Sequence, residues 1–167
     1  MQTWSRLCRA LGEPAPGPRP LLLPPDPDRL AERPYWWFHR FGVERSRAET
    51  LRRVARHSRA LEGCADLPWS EARLRLLAVN GVGPWTAAIV AGKALGDPDA
   101  VPIGDYHLPH LVAYALAGEA RANDARMLEL LSPYGSQRGR ALRYVLASGA
   151  REPAFGPRRA LVPIARL

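Results

Sequence analysis

The segment Val79-Asn80-Gly81-Val82-Gly83-Pro84 restricts the fold of this chain more than any other stretch. Two glycines one residue apart allow a sharp turn with positive φ and let backbone amides come close to a ligand. Pro84 suits the first position of a helix, where its missing N–H would have had no partner anyway. The segment therefore predicts two helices joined by a tight turn. The first follows Asp66-Leu67-Pro68-Trp69, with Leu74 and Leu77 facing inward, and the second runs from Pro84 to about Leu95. Amides around Gly81, Gly83 and Trp85 would then point outward at a helix N-terminus, a position that attracts anions. A Gly-x-Gly turn between packed helices is also a common structural corner, so the turn alone does not decide its use.

Beyond the second helix lies a polar loop, Gly96-Asp97-Pro98-Asp99-Ala100, followed by Val101-Pro102-Ile103-Gly104-Asp105-Tyr106-His107. Asp105 stands where a further helix begins, with Leu108, Leu111, Val112 and Leu116 at helical spacing. The ordinary role of such an aspartate is to cap the helix by accepting a backbone N–H.

Charge narrows the partners. The 167 residues fit one domain and carry 24 Lys plus Arg against 16 acidic residues, a formal charge of +8. Lys93 is the single lysine. An arginine excess of this kind favours a polyanion without choosing among DNA, RNA and an anionic membrane surface, and it equally fits a GC-rich genome. No apolar run reaches the length of a membrane span, and the N-terminus lacks a signal-peptide core. Cys8 and Cys64 lie far apart, outside any ligand spacing, which argues for a reducing cytoplasm and against a disulfide framework or zinc site. The expected location is cytoplasmic.

The remaining segments read as helices and loops, so the expected class is all-α. Gln2 to Leu11 is a helix with Trp4, Leu7, Cys8 and Leu11 on one face. Glu13 to Pro27 holds seven prolines and reads as a rigid, extended connector. Asp28 to Arg33 suits one or two helical turns. In Pro34 to Phe41, Trp36, Trp37 and Phe41 are expected to fill the core, with base-stacking as the sharper alternative, and His39 is structural or exposed. Glu44 to Leu61 reads as one long helix, capped by Ser46 with Glu49, with Leu51, Val54, Ala55, Ser58 and Leu61 inward. Its six arginines form either a solvated face or a DNA track. Helices at Tyr106 to Ala117, Ala125 to Leu131 and Arg138 to about Ser148 follow, and Arg138, Arg140 and Arg143 are candidate phosphate contacts. Residues 151–167 form a Pro- and Arg-rich tail.

From Leu76 to Tyr106 the chain resembles the endonuclease III superfamily of DNA glycosylases, marked by a helix–hairpin–helix, a Gly/Pro-rich loop and an aspartate. The hairpin matches at Val79, Gly81, Val82, Gly83, Thr86 and Ala87, with Val79 standing in for the usual leucine and Asn80 where a proline is usual. Gly83-Pro84-Trp85-Thr86 and Asp105-Tyr106 are most similar to the monofunctional alkylpurine (3-methyladenine) glycosylases. The resemblance implies a helical bundle in residues 1–150, matching part of a two-subdomain glycosylase fold and lacking the family's N-terminal helices. It implies double-stranded damaged DNA as partner, with Gly81, Val82, Gly83, Trp85 and Thr86 on the DNA. A monovalent cation on the carbonyls of Leu77, Val79 and Val82 is implied too. The four-cysteine iron–sulfur cluster of many relatives is excluded by the two cysteines, and no other cofactor is expected.

The chemistry explains the residue types. Breaking an N-glycosidic bond develops positive charge on the sugar, which a fixed carboxylate in a dry site stabilises. Asp105 fits that role and can also orient the attacking water. The target base must be extruded and cradled, and the resemblance points to Trp85 and Tyr106, whose rings would attract a cationic alkylated base. Bifunctional relatives carry a lysine where Trp85 stands, which argues against lyase chemistry. The alternative expectation is a shortened, inactive helix–hairpin–helix module that only binds DNA. A pocket aromatic found in the last helix of some alkylpurine enzymes has no clear match; Tyr144 is nearby.

Overall fold

Caps and proline positions set the helix boundaries. The computed structural model describes residues 2–151. Among them the chain is helical: α1 Gln2–Leu11, α2 Pro27–Glu32, α3 Arg45–Arg56, α4 Ser58–Glu62, α5 Trp69–Leu77, α6 Pro84–Ala94, α7 Leu108–Ala117, α8 Asp124–Leu131 and α9 Arg138–Ala147. Short 3-10 turns occupy Tyr35–Phe41, Gly63–Asp66 and Ser132–Gln137. The proline-rich connector is extended, with one isolated antiparallel bridge from Pro14 to Leu22. The all-α expectation therefore holds. The tail lies outside the described residues beyond Arg151.

Two compact units result. Among the described residues, the first comprises 2–63 together with 79–81, and the second comprises 64–78 together with 82–151.

In the first unit, Leu7, Leu11, Leu30, Phe38, Phe41, Ala48 and Ala55 form a buried cluster. Asp26 starts α2 by accepting the Asp28 amide at 2.8 Å, and Pro27 takes the first helical position. The aromatic segment is a tight 3-10 turn rather than a full helix, and its three-residue repeat points Phe38 and Phe41 inward. Trp36 is 58% exposed, which corrects its assignment to the core, and Trp37 is only partly buried against the cluster. Truncating Phe38, which is fully buried, would cost about 3–5 kcal/mol.

The long helix expected over Glu44 to Leu61 is broken. His57 departs from helical geometry with ψ 12°, separating α3 from α4. The expected capping box is absent as well. Glu44 is the extended residue before α3, so Ser46 lies inside the first turn and its hydroxyl meets the Glu44 carboxylate. Glu49 is drawn instead to Arg45 and Arg53. The inward stripe uses Ala48 and Ala55, with Leu51 and Val54 only half-buried.

In the second unit, Val101, Val112, Met127, Leu131, Leu142 and Val145 form the core. Leu76 is the buried leucine of α5, whereas Leu74 is 69% exposed and does not face inward as expected. Adjacent positions on a helix point about 100° apart, so a shift of two residues moves a side chain from core to solvent. Asn123 caps α8 through its side chain, 3.0 Å from the Arg126 amide. Gly118, with φ 69°, closes α7.

Candidate active site

The loop between α6 and α7 presents a carboxylate, and neighbouring elements hold each end of that loop. At its start, Asp99 accepts the Arg138 amide at 3.1 Å and the Arg138 guanidinium through Nε at 2.7 Å and Nη2, fastening the loop to the first residue of α9. The Arg140 amide donates to the Pro98 carbonyl at 2.8 Å. Gly139 makes this approach possible, since a Cβ there would lie 2.5 Å from the Ala100 oxygen and 2.7 Å from its nitrogen. Arg138 is thus a structural clamp rather than a free phosphate contact. Arg143 is also engaged, donating to the Gly92 carbonyl at 3.0 Å.

Near the other end, the Gly104 amide donates to Asp124 Oδ2 at 2.9 Å. Asp124 is the first residue of α8, 20 positions from Gly104, and no sequence pattern links the two. Val101 and Pro102 are buried between these two attachments.

Asp105 follows directly. Its Oδ1 accepts the amides of His107 at 2.8 Å and Leu108 at 3.0 Å, the first N–H groups at the start of α7. Its Oδ2 accepts the Trp85 indole N–H at 2.9 Å. The capping role read from sequence is therefore present, although the helix proper starts at Leu108 rather than Tyr106. Partial burial alone would raise the Asp105 pKa. The amides of Leu108 and His107, then the Trp85 indole, with a smaller charge interaction from His107, outweigh that effect, so the carboxyl stays below its ordinary range. The group is a half-buried anion held by three neutral donors.

Trp85 lies on the first turn of α6 and remains 42% exposed, leaving ring surface open beside the carboxylate it anchors. Tyr106 is 70% exposed, and its ring stands edge-on to His107 and His110. The second unit thus brings Asp105 and Trp85 into direct contact, and Tyr106 follows Asp105 in sequence.

The hairpin turn is built unevenly. Gly81 has φ 96°, and a Cβ there would fall 2.1 Å from Thr50 Oγ1, so this position requires glycine. Gly83 has φ −90° and ψ 176°, an extended conformation open to any residue, which corrects the expectation of positive φ at both glycines. Val82 is buried, Thr86 is half-buried, and α6 begins without a side-chain cap. In the first unit, Arg53 Nη1 donates to the Asn80 carbonyl at 3.1 Å. Arg45, Arg47 and Arg53 pair with Glu44 or Glu49, so much of the arginine face of α3 is internally neutralised.

Hairpin, clamped loop and capping carboxylate define the class: a helix–hairpin–helix protein with the DNA glycosylase fold. Solved structures agree. The chain is similar to an 8-oxoguanine glycosylase/lyase of Clostridium acetobutylicum, with TM-score 0.71 and 18% identity over 88% of this chain and 52% of that one. It is also similar to the 3-methyladenine DNA glycosylase of Archaeoglobus fulgidus, with TM-score 0.73 and 20% identity over 86% of this chain and 50% of that one. The chain spans about half the length of both structures. A stretch of 44 residues is 54% identical to the probable bifunctional transcriptional activator/DNA repair enzyme AlkA of Mycobacterium tuberculosis, covering 26% of this chain and 9% of that protein. No protein-family model matches the chain. No helix among the described residues is long and apolar enough to cross a membrane.

Proposed function

We propose that this chain is the catalytic part of a monofunctional DNA glycosylase, with Asp105 as the carboxylate that faces the deoxyribose of an extruded nucleotide. The observation that carries the reading is the arrangement of Asp105: ionised, half-buried, and fixed by neutral N–H donors. A carboxylate spent on a salt bridge would offer little to a developing oxocarbenium charge. One fixed by amides and an indole keeps its full negative charge, already oriented, and pays no reorganisation when the bond breaks. The same oxygens can orient the water that attacks the sugar.

Trp85 both anchors the carboxylate and offers a ring face to the base, and Tyr106 offers a second ring. Two aromatic surfaces favour a planar, electron-poor ligand, which suits an alkylated purine such as 3-methyladenine. Alkylation also makes the base a good leaving group, so few specific contacts to it are needed. The position taken by lysine in bifunctional relatives holds Trp85, so no Schiff-base step is assigned. The hairpin residues Gly81, Val82, Gly83, Trp85 and Thr86 are assigned to the DNA backbone, with duplex DNA at the nucleoid as the partner. We assign residues 1–150 to the glycosylase region and leave the Pro- and Arg-rich stretch 151–167 outside it.

A monovalent cation on the carbonyls of Leu77, Val79 and Val82, as the resemblance implies, stays part of the proposal. The intervening Asn80 carbonyl accepts an N–H of Arg53, whose guanidinium also pairs with Glu49. The proposed reaction needs no cation.

A second reading, a module that binds duplex DNA without turnover, rests on the chain spanning about half the length of the solved glycosylases. Single-turnover base release separates the two, measured on duplexes carrying 3-methyladenine, 8-oxoguanine or no lesion. The glycosylase reading predicts release from the alkylated duplex, with no strand nicking and no borohydride-trapped adduct. Release from none of them, with salt-dependent duplex binding retained, would favour the binding module.

A further inference from the structure

Tyr106 poses a physical problem. A ring that is 70% exposed ordinarily samples several rotamers, and a mobile ring beside Asp105 would make a poor wall for a base. Its orientation is nonetheless defined. The ring lies edge-on to His107, with centroids 5.0 Å apart and planes at 90°, and edge-on to His110, at 5.7 Å and 83°. His107 is its chain neighbour. His110 is four residues on, one turn along the start of α7, so its contact decides the side on which the ring rests.

His110 is itself held from a different element. Its Nδ1 accepts the Ala122 amide at 3.1 Å, and Arg121 Nη1 lies 3.2 Å from Nε2. Both residues belong to the connection between α7 and α8. That connection is pinned in turn, since Glu119 takes the Arg126 guanidinium at 2.6 Å. A continuous line of contacts runs from the α7–α8 connection through the His110 ring to the Tyr106 ring beside Asp105.

The geometry points to His110 as a positioning residue that fixes the Tyr106 ring as one wall of the base site. It touches neither the base nor the reacting sugar. The inference rests on the glycosylase reading for its consequence in catalysis, but not for the bracing itself.

Two measurements separate those parts. The first uses the free protein with isotope-labelled tyrosine and follows the ring resonances of Tyr106, assigned by comparison with Tyr106→Phe. His110→Asn keeps an acceptor near the place of Nδ1 for the Ala122 amide and removes the ring edge. The expected result is a displaced or broadened Tyr106 signal with the rest of the spectrum preserved. An unchanged Tyr106 signal overturns the inference, whatever the catalytic data say.

The second is a double-mutant cycle on single-turnover base release. His110→Asn should slow release about tenfold in the wild-type background and have almost no further effect in Tyr106→Ala. Equal effects in both backgrounds would contradict the inference. His110→Phe, which restores a ring edge, should recover part of the lost rate. Absence of base release from the wild type sinks the glycosylase reading alone, and the bracing then stands or falls on the spectrum.

Discussion

Asp99 and Asp105 lie in the same loop and do the same local work, each accepting backbone amides at the start of a helix. Both are held below the usual carboxylate range. For Asp99 the main cause is the hydrogen bond from the Arg138 guanidinium. For Asp105 the largest influence is burial, which opposes ionisation and is overcome mainly by hydrogen bonds from Leu108, His107 and Trp85, with a smaller charge interaction from His107. A guanidinium neutralises the charge it stabilises, whereas amides and an indole stabilise charge without cancelling it. A lowered pKa therefore does not by itself identify a reactive group. The kind of donor separates the clamp from the candidate catalyst.

The strongest way to break this contrast is Asp105→Asn. Base release should fall by about a hundredfold or more, the scale of losing one preorganised electrostatic group, with duplex affinity within about twofold. Folding is probed most sharply at the clamp. Gly139→Val should destabilise by about 2–3 kcal/mol in chemical denaturation, because its side chain meets the backbone of Ala100 and Pro98, which cannot swing aside. Asp99→Asn should cost about 1 kcal/mol, since the pair is partly exposed and solvent screens it.

The pH dependence of that loss has a definite sign. A depressed carboxyl pKa contributes stability above the unfolded value, about 3.9, and loses it as pH falls through the folded value. The advantage of the wild type over Asp99→Asn should accordingly be full at neutral pH and shrink on acidification below about pH 4. The smallest predicted effect belongs to Trp85→Phe, which keeps a ring but removes the indole donor. The Asp105 carboxyl should titrate higher by carbon-detected NMR, and base release should slow about tenfold or less.

The sequence made the helical class and the hairpin legible because glycine spacing and Pro84 act through the backbone, where few alternatives exist. Asp105 was legible for a similar reason, as a capping residue at the start of an apolar helical stripe. Side-chain partners over longer separations were not. Asp99 meets Arg138, and Asp124 meets Gly104, through contacts that only the folded chain creates. Ser46 and Glu49 illustrate the opposite failure: their spacing fits a capping box, but α3 starts at Arg45, so Ser46 lies inside the first turn and Glu49 pairs with Arg45 and Arg53. For Trp36, aromatic size suggests burial, but the three-residue repeat of the 3-10 turn buries Phe38 and Phe41 and leaves Trp36 exposed.

The most direct test of the account compares Asp105→Asn with Asp99→Asn in one single-turnover assay on 3-methyladenine duplex, each rate scaled to its folded fraction. The account predicts that Asp105→Asn loses base release and that Asp99→Asn keeps the wild-type rate. Equal losses, or full activity in Asp105→Asn, would contradict it.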